Sequence, residues 1–360
     1  MSADLDTRIQ RHIRQDVQSM HGYAIQPSAG FVKLDAMENP FRLPEPMQAE
    51  LGRRLGAIAL NRYPAGRIDD LRDALKRHVN LPDGFELVLG NGSDEIITML
   101  SMACDVPGAK VLAPLPAFVM YDVSARLQGL TFVGVPLTAD FALDEAAMLA
   151  AIAEHQPALV YLAYPNNPTA NLFDDTVMER IVAAAPGLVV IDEAYQPFAS
   201  RDWFERMTRH PHVLVMRTLS KFGLAGVRIG YMVGRKALVD QIDKVRPPYN
   251  VSVLNAEAAI FALEHADEFA RQAAVLRDVR TRLIDAVSKM PGCKPFPSEA
   301  NMVLVRVPDA AALFAALKAR NVLVKNVSGL HPLLASCLRL TVGTPDENTL
   351  MIEALEASLK

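Results

Sequence analysis

The chain has few cysteines, no excess of positive charge and no long apolar run. Cys104, Cys293 and Cys337 are its three cysteines, widely spaced and without a CxxC pair. That excludes a disulfide framework and a cysteine zinc site, and fits a reducing compartment. Lys+Arg 37 against Asp+Glu 41 leaves a net charge of −4, without the basic surplus of a nucleic-acid binder. No stretch approaches a bilayer span. Asp4, Asp6 and Asp16 near the start argue against a transit peptide, and no apolar leader core follows. Asn250 and Asn326 open Asn-x-Ser sequons that mean nothing without a secretory signal. There is no internal repeat and no low-complexity tract. What remains is a 360-residue chain that is 51% hydrophobic and 22% charged, an ordinary globular composition. Its length suits two domains or one large α/β unit, and the expected location is cytoplasmic.

Leu5, Ile9, Ile13, Val17 and Met20 recur at helical spacing and predict one amphipathic N-terminal helix, packed on the body or on a partner subunit. Residues 28–46 are Pro-rich and aperiodic and read as an extended arm. From about 68 to 240, short apolar runs alternate with helical patterns. The runs are Phe85–Leu89, Lys110–Ala113, Leu159–Ala163, Leu188–Ile191, Val213–Met216 and Gly230–Val233. Such short Val- and Leu-rich runs fit strands buried on both faces, and the helices between them (Ser93–Met102, Thr176–Ala185) make βα units. The fold class is therefore α/β, a three-layer, mostly parallel sheet with helices on both faces. A long helical segment, Ala256–Met290, leads into a smaller α+β part: Asn301–Val305, Ala310–Ala319, Val322–Lys325, Cys337–Val342 and Pro345–Leu359. Its strands alternate, which predicts one wet sheet face. The expected domains are 1–46 (helix and arm), 47–250 (large) and 251–360 (linking helix and small domain).

Ligands of open α/β sheets bind beyond the carboxyl ends of the strands. Four apolar runs here end in unusual polar residues: Gly90-Asn91-Gly92-Ser93-Asp94-Glu95, Tyr164-Pro165-Asn166-Asn167-Pro168-Thr169, Asp192-Glu193-Ala194-Tyr195 and Arg217-Thr218-Leu219-Ser220-Lys221. These ends are expected to converge on one crevice. Gly92-Ser93-Asp94 opens a helix and reads either as a plain N-cap or as a phosphate cup built from first-turn amides. Glu95 stands where a dinucleotide fingerprint needs its third glycine, and no Walker motif is present. Asp192 leaves a buried strand, so it needs a cation or a donor: a structural partner, or a protonated ring nitrogen. Lys221 lies in an apolar, Gly-rich neighbourhood that can desolvate an amine into a nucleophile, with Arg228 seven residues on. Arg339 alternates with Leu338 and Leu340, which by itself reads as a solvent-facing strand residue.

Taken together and in order, these motifs resemble the fold-type I aminotransferases that use pyridoxal phosphate, and the resemblance covers most of the chain. Leu34-Asp35-Ala36-Met37-Glu38-Asn39-Pro40, Asn61-Arg62-Tyr63-Pro64, Pro248-Tyr249-Asn250-Val251 and Cys337-Leu338-Arg339-Leu340-Thr341-Val342-Gly343-Thr344 look like the histidinol-phosphate aminotransferase branch. The resemblance implies pyridoxal 5′-phosphate carried on Lys221 as an internal aldimine, and a ping-pong exchange between histidinol phosphate and glutamate/2-oxoglutarate. It implies that Asp192 pairs with the ring nitrogen, that Asn167 and Tyr195 donate to the phenolic oxygen, and that Phe118 stacks on the ring. The phosphate would meet Gly92, Ser93, Asp94, Ser220 and Arg228, with Tyr63 entering from the partner of a homodimer. Arg339 would bind the substrate anion, its fork suiting both phosphate and carboxylate. Tyr23, Asn39 and Lys325 are further substrate-side candidates, Lys325 standing where many relatives have Arg. Ala170 and Met37 stand where Gly and Asn are common. No metal is implied, and the Asn167–Pro168 bond is expected to be cis. The alternatives are a threonine-phosphate decarboxylase or an aromatic amino acid aminotransferase of the same fold.

Overall fold

The computed structural model describes residues 2–20, 22, 26–64 and 66–359. By internal contacts the chain divides into Met1–Gly30 and Phe31–Lys360. In the first unit the expected single helix is two, Ser2–His12 and Gln15–Ser19. The break falls at Arg14, whose backbone is extended (ψ 139°) while its guanidinium pairs with Asp16 at 2.5 Å. Gln18 spans the break, its side-chain amide donating to the Ile13 carbonyl at 2.6 Å. The predicted apolar stripe, Leu5 to Met20, is exposed.

The second unit begins with β1 (Val32–Lys33), so part of the expected extended arm is a strand. The large sheet follows: β2 (Phe85–Gly90), β3 (Lys110–Leu115), β4 (Thr131–Pro136), β5 (Leu159–Ala163), β6 (Leu188–Asp192), β7 (Val213–Thr218) and β8 (Gly230–Arg235). Their order is β2-β8-β7-β6-β5-β3-β4. All neighbours are parallel except those of β8, which runs antiparallel to both β2 and β7. The α/β, mostly parallel fold class holds. Five of the six predicted runs extend by one or more residues, and β4 is an added edge strand whose half-exposed residues gave no apolar run. β5 is buried along its whole length, as a strand covered by helices on both faces must be.

The long helical segment is broken at His265 into Val253–Glu264 and Ala266–Ser288. Beyond it lie β9 (Lys294–Pro295), β10 (Met302–Arg306), β11 (Val322–Leu323), β12 (Lys325–Asn326) and β13 (Cys337–Thr341). β12-β13-β10-β9 form an antiparallel sheet, and β11 pairs in parallel with β1. The predicted strand Val322–Lys325 is thus divided between two sheets. The expected wet face is also corrected. Cys337 and Thr341 are buried as fully as Leu338 and Leu340, and only Arg339 is partly open. Among the described residues no helix is long and apolar enough to cross a membrane.

Strand direction positions the site. β2, β5, β6 and β7 all point one way, and the register sets Gly90 and Thr218 opposite Gly230, and Ala163 opposite Asp192. The four polar segments therefore leave the sheet at one edge. Leu162, fully buried in the interior strand β5, tests this scaffold. Leu162→Ala should lower unfolding free energy by about 3 kcal/mol in a urea titration.

Candidate active site

Gly92 stands at the N-cap of helix Ser93–Ala103 and supplies no side-chain cap, so its first-turn amides take no cap acceptor. Its φ of +80° favours glycine, and a Cβ there would lie 2.6 Å from Arg228 Nη2. A Cβ on Gly230 would lie 2.7 Å from Ser93 N. Two missing side chains thus let the helix start sit directly against β8 and under a guanidinium. Arg228 itself holds left-handed backbone (φ 53°) and reaches Asp94 Oδ2 at 3.3 Å and Ser220 Oγ at 3.4 Å. Gly92, Ser93, Asp94, Ser220 and Arg228 stand together. Helix-start amides, a hydroxyl and a guanidinium form a donor set for an anion.

Asp192 ends β6 and is 4% exposed. Its Oδ2 accepts from the Tyr121 hydroxyl at 2.6 Å and its Oδ1 from the Ala194 amide at 3.0 Å. Burial still outweighs both donors and pushes its pKa up to about 6. Lys221 sits in a widened turn over Ser220–Leu224, where Gly223 leaves helical geometry. Its Nζ donates to the Ala36 carbonyl at 3.1 Å and lies 5.9 Å from the Tyr195 ring centre. Desolvation first, and Arg339 second, bring its pKa down to about 8. Asp192 ends β6 and Lys221 follows the adjacent parallel strand β7, so the carboxylate and the amine leave the same end of the sheet.

A hydrogen-bonded chain runs from Arg339 to Tyr195. Arg339 donates to the Asp35 carbonyl at 2.8 Å and to Asn167 Oδ1 at 2.9 Å, and Asn167 Nδ2 donates to the Tyr195 hydroxyl at 3.1 Å. Arg339 therefore faces Asn167 and the Asp35 backbone, not solvent. Lys325 lies beside it, their Cα atoms paired across β12 and β13. Asn39 holds Gln272 Oε1 at 2.9 Å, and a Cβ on Gly223 would come within 3.2 Å of it, which puts Asn39 next to the Lys221 turn. Phe118 is half-buried and meets Tyr121 edge-on at 5.8 Å. The Asn167–Pro168 bond is cis, as are Leu115–Pro116 and Tyr164–Pro165. Ala170 and Met37 both take left-handed backbone (φ 65° and 52°), a conformation that Gly and Asn enter with less strain. Tyr63 is not drawn into this network among the described residues. It is 74% exposed and stacks on Tyr249 at 4.5 Å. Tyr23 lies outside the described residues.

Sequence reasoning missed Tyr121. It lies three residues after Phe118, in the first turn of the helix that opens at Met120, and that closeness to the ring-stacking candidate is the signal that could have found it. It also gave no role to the buried Glu193, which accepts from Arg217 Nε at 2.8 Å directly behind Asp192. Burial pushes the Glu193 pKa up to about 7, against the pull of Arg217.

The family described as aminotransferase class I and II matches residues 29–355. The chain belongs to that family. It is 74% identical over 358 residues to the histidinol-phosphate aminotransferase of Methylibium petroleiphilum, covering 99% of this chain and 96% of that protein. It is 66% identical over 358 residues to that of Polaromonas naphthalenivorans, covering 99% and 98%. The structure of histidinol-phosphate aminotransferase from Sinorhizobium meliloti in complex with pyridoxal 5′-phosphate superposes with a TM-score of 0.84 at 26% identity, covering 97% of each chain. Within the class, the chain belongs to the histidinol-phosphate aminotransferases.

The lowered proton affinity of Lys221 has a direct readout. Trinitrobenzenesulfonate should modify Lys221 of the cofactor-free protein with a midpoint near pH 8, well below the ordinary lysine value of 10.5. Peptide mass spectrometry across pH reads that site. A Lys221 midpoint near 10.5 would show that burial does not govern the amine.

Proposed function

We propose that the protein moves an amino group between L-histidinol phosphate and 2-oxoglutarate, a step of histidine biosynthesis, using pyridoxal 5′-phosphate. The observation that carries the reading is that Asp192 and Lys221 leave neighbouring parallel strands at one end of the sheet, where burial drives the lysine towards neutrality and the carboxylate towards protonation. Each is unfavourable alone, and each is satisfied by a ligand with a carbonyl at one end and a protonated ring nitrogen at the other. The residues fit that cofactor: Asp192 for the nitrogen, Lys221 for the carbonyl carbon, the Gly92–Asp94 amides with Ser220 and Arg228 for the phosphate, and Phe118 for the ring face. Pyridoxal phosphate, when bound, supplies an electron sink for the charge left on the substrate carbon.

The chain's own groups then do the proton work. Lys221, as a neutral amine, would take a proton from the substrate carbon and deliver it to the cofactor's former carbonyl carbon, a role its lowered pKa suits at neutral pH. The Ala36 carbonyl orients that amine. Asn167 and Tyr195, joined to each other by a hydrogen bond, would donate to the ring oxygen. Arg339 offers a planar fork that accepts the phosphate of one substrate and the carboxylate of the other, and Lys325 adds a second positive charge beside it. Exposed Tyr63 is available to a neighbouring subunit, and in this reading it completes the partner's phosphate site in a homodimer. The enzyme is assigned to the cytoplasm on its charge and cysteine spacing.

The decisive assay mixes purified protein, pyridoxal phosphate and 2-oxoglutarate with histidinol phosphate, with aromatic amino acids, or with threonine phosphate. Glutamate formation with histidinol phosphate is the expected result. Preference for phenylalanine, or carbon dioxide release from threonine phosphate, defeats the assignment. Lys221→Ala should purify colourless and show no turnover. Arg339→Ala should raise KM for both histidinol phosphate and the keto acid by about tenfold or more, the value of a charged hydrogen bond. A change in only one of them would end the idea of a shared anion site.

A further inference from the structure

The Tyr121 ring is 1% exposed and lies flat on Tyr161, with centroids 4.4 Å apart and planes 6° from parallel. It has no aqueous surface to serve, yet its hydroxyl donates to Asp192 Oδ2 at 2.6 Å, a short charge-assisted contact. Stacking fixes the ring, so the direction of the O–H is fixed too. The neighbouring Tyr161 hydroxyl is equally buried but has no hydrogen-bond partner among the described residues. One phenol is thus spent on the carboxylate while its stacking neighbour serves packing alone.

We propose that Tyr121 is a positioning residue that keeps Asp192 ionised, so that a shared proton stays on the cofactor's ring nitrogen. This rests on the function proposed above and adds to it the residue that sets where the proton resides. If Asp192 were the stronger base, the proton would move to the carboxyl and the ring would become a weaker electron sink. The surroundings push in that unhelpful direction. Burial and the Asp94 charge raise the Asp192 proton affinity, and only Tyr121 and the Ala194 amide oppose them. Tyr161 and Tyr195, the other titratable groups that sense Asp192, are themselves held protonated by burial. The Tyr121 hydroxyl is likewise held as a donor by burial and by the carboxylate it faces.

Tyr121→Phe keeps the stacked ring and removes one oxygen. With 15N-labelled pyridoxal phosphate, its ring-nitrogen NMR signal should move towards that of unprotonated pyridine, while Tyr161→Phe leaves the signal in place. Affinity supplies a second reading. Tyr121→Phe should weaken pyridoxal phosphate by about tenfold or more, and weaken far less the analogue carrying C–H in place of the ring nitrogen. Equal weakening of both cofactors, an unmoved nitrogen signal, or an equal shift in Tyr161→Phe overturns the proposal, because each marks a packing role. A wild-type ring nitrogen already unprotonated at neutral pH overturns it without any variant. A wild-type chain that binds no pyridoxal phosphate fails the underlying reading instead, and the inference goes with it.

Discussion

Placing a carboxylate at the end of a strand that is buried on both faces sets the terms for everything around it. Asp192 is removed from water by the sheet and its covering helices, and an isolated anion there is costly. Two donors, the Tyr121 hydroxyl and the Ala194 amide, offset part of that cost but not all of it. The residue is left poised between its charged and neutral forms, which gives the crevice a standing preference for a ligand that brings a proton or a positive charge. A surface aspartate would show no such preference, because water would already satisfy it.

The same reasoning explains the opposite pole. Lys221 is desolvated and repelled by Arg339, so its neutral form gains on its charged form. Arg339 is in turn fixed by Asn167 and the Asp35 carbonyl, and Asn167 also holds Tyr195. An arginine of the small antiparallel sheet thus lowers, by its charge, the proton affinity of a lysine that follows β7 of the large sheet. At the anion cup the controlling factor is steric. Gly92 and Gly230 each leave out a side chain that would collide with Arg228 or with the helix start.

Much of this was legible in the sequence because of strand ends. A buried parallel strand needs an apolar run, and an abrupt switch to Asp192, Asn167 or Ser220-Lys221 marks where the chain leaves the core. In the structure Asp192 and Ser220-Lys221 leave neighbouring strands at one end of the sheet, and Gly92 and Arg228 stand beside Ser220. The edge strand Thr131–Pro136 was not, because a strand at the sheet edge need not be apolar throughout. The breaks at Arg14 and His265 were hidden because helical spacing of apolar residues continues across both. Arg339 is the instructive case. Alternation alone pointed it at water, since the chain segments that cover its face come from residues 35 and 167, far away in sequence.

By itself, then, the order of residues determined the α/β class, the burial of the central strands and which polar side chains stand at their carboxyl ends. These follow from local periodicity, which needs no knowledge of distant partners. Only the tertiary structure decided that Tyr121 reaches Asp192, that Arg339 faces Asn167, and that Gly230 gives way to the helix at Ser93. Each is a contact between segments 71 or more residues apart. Their pairing is set by sheet order and register, and nothing in the local pattern encodes it.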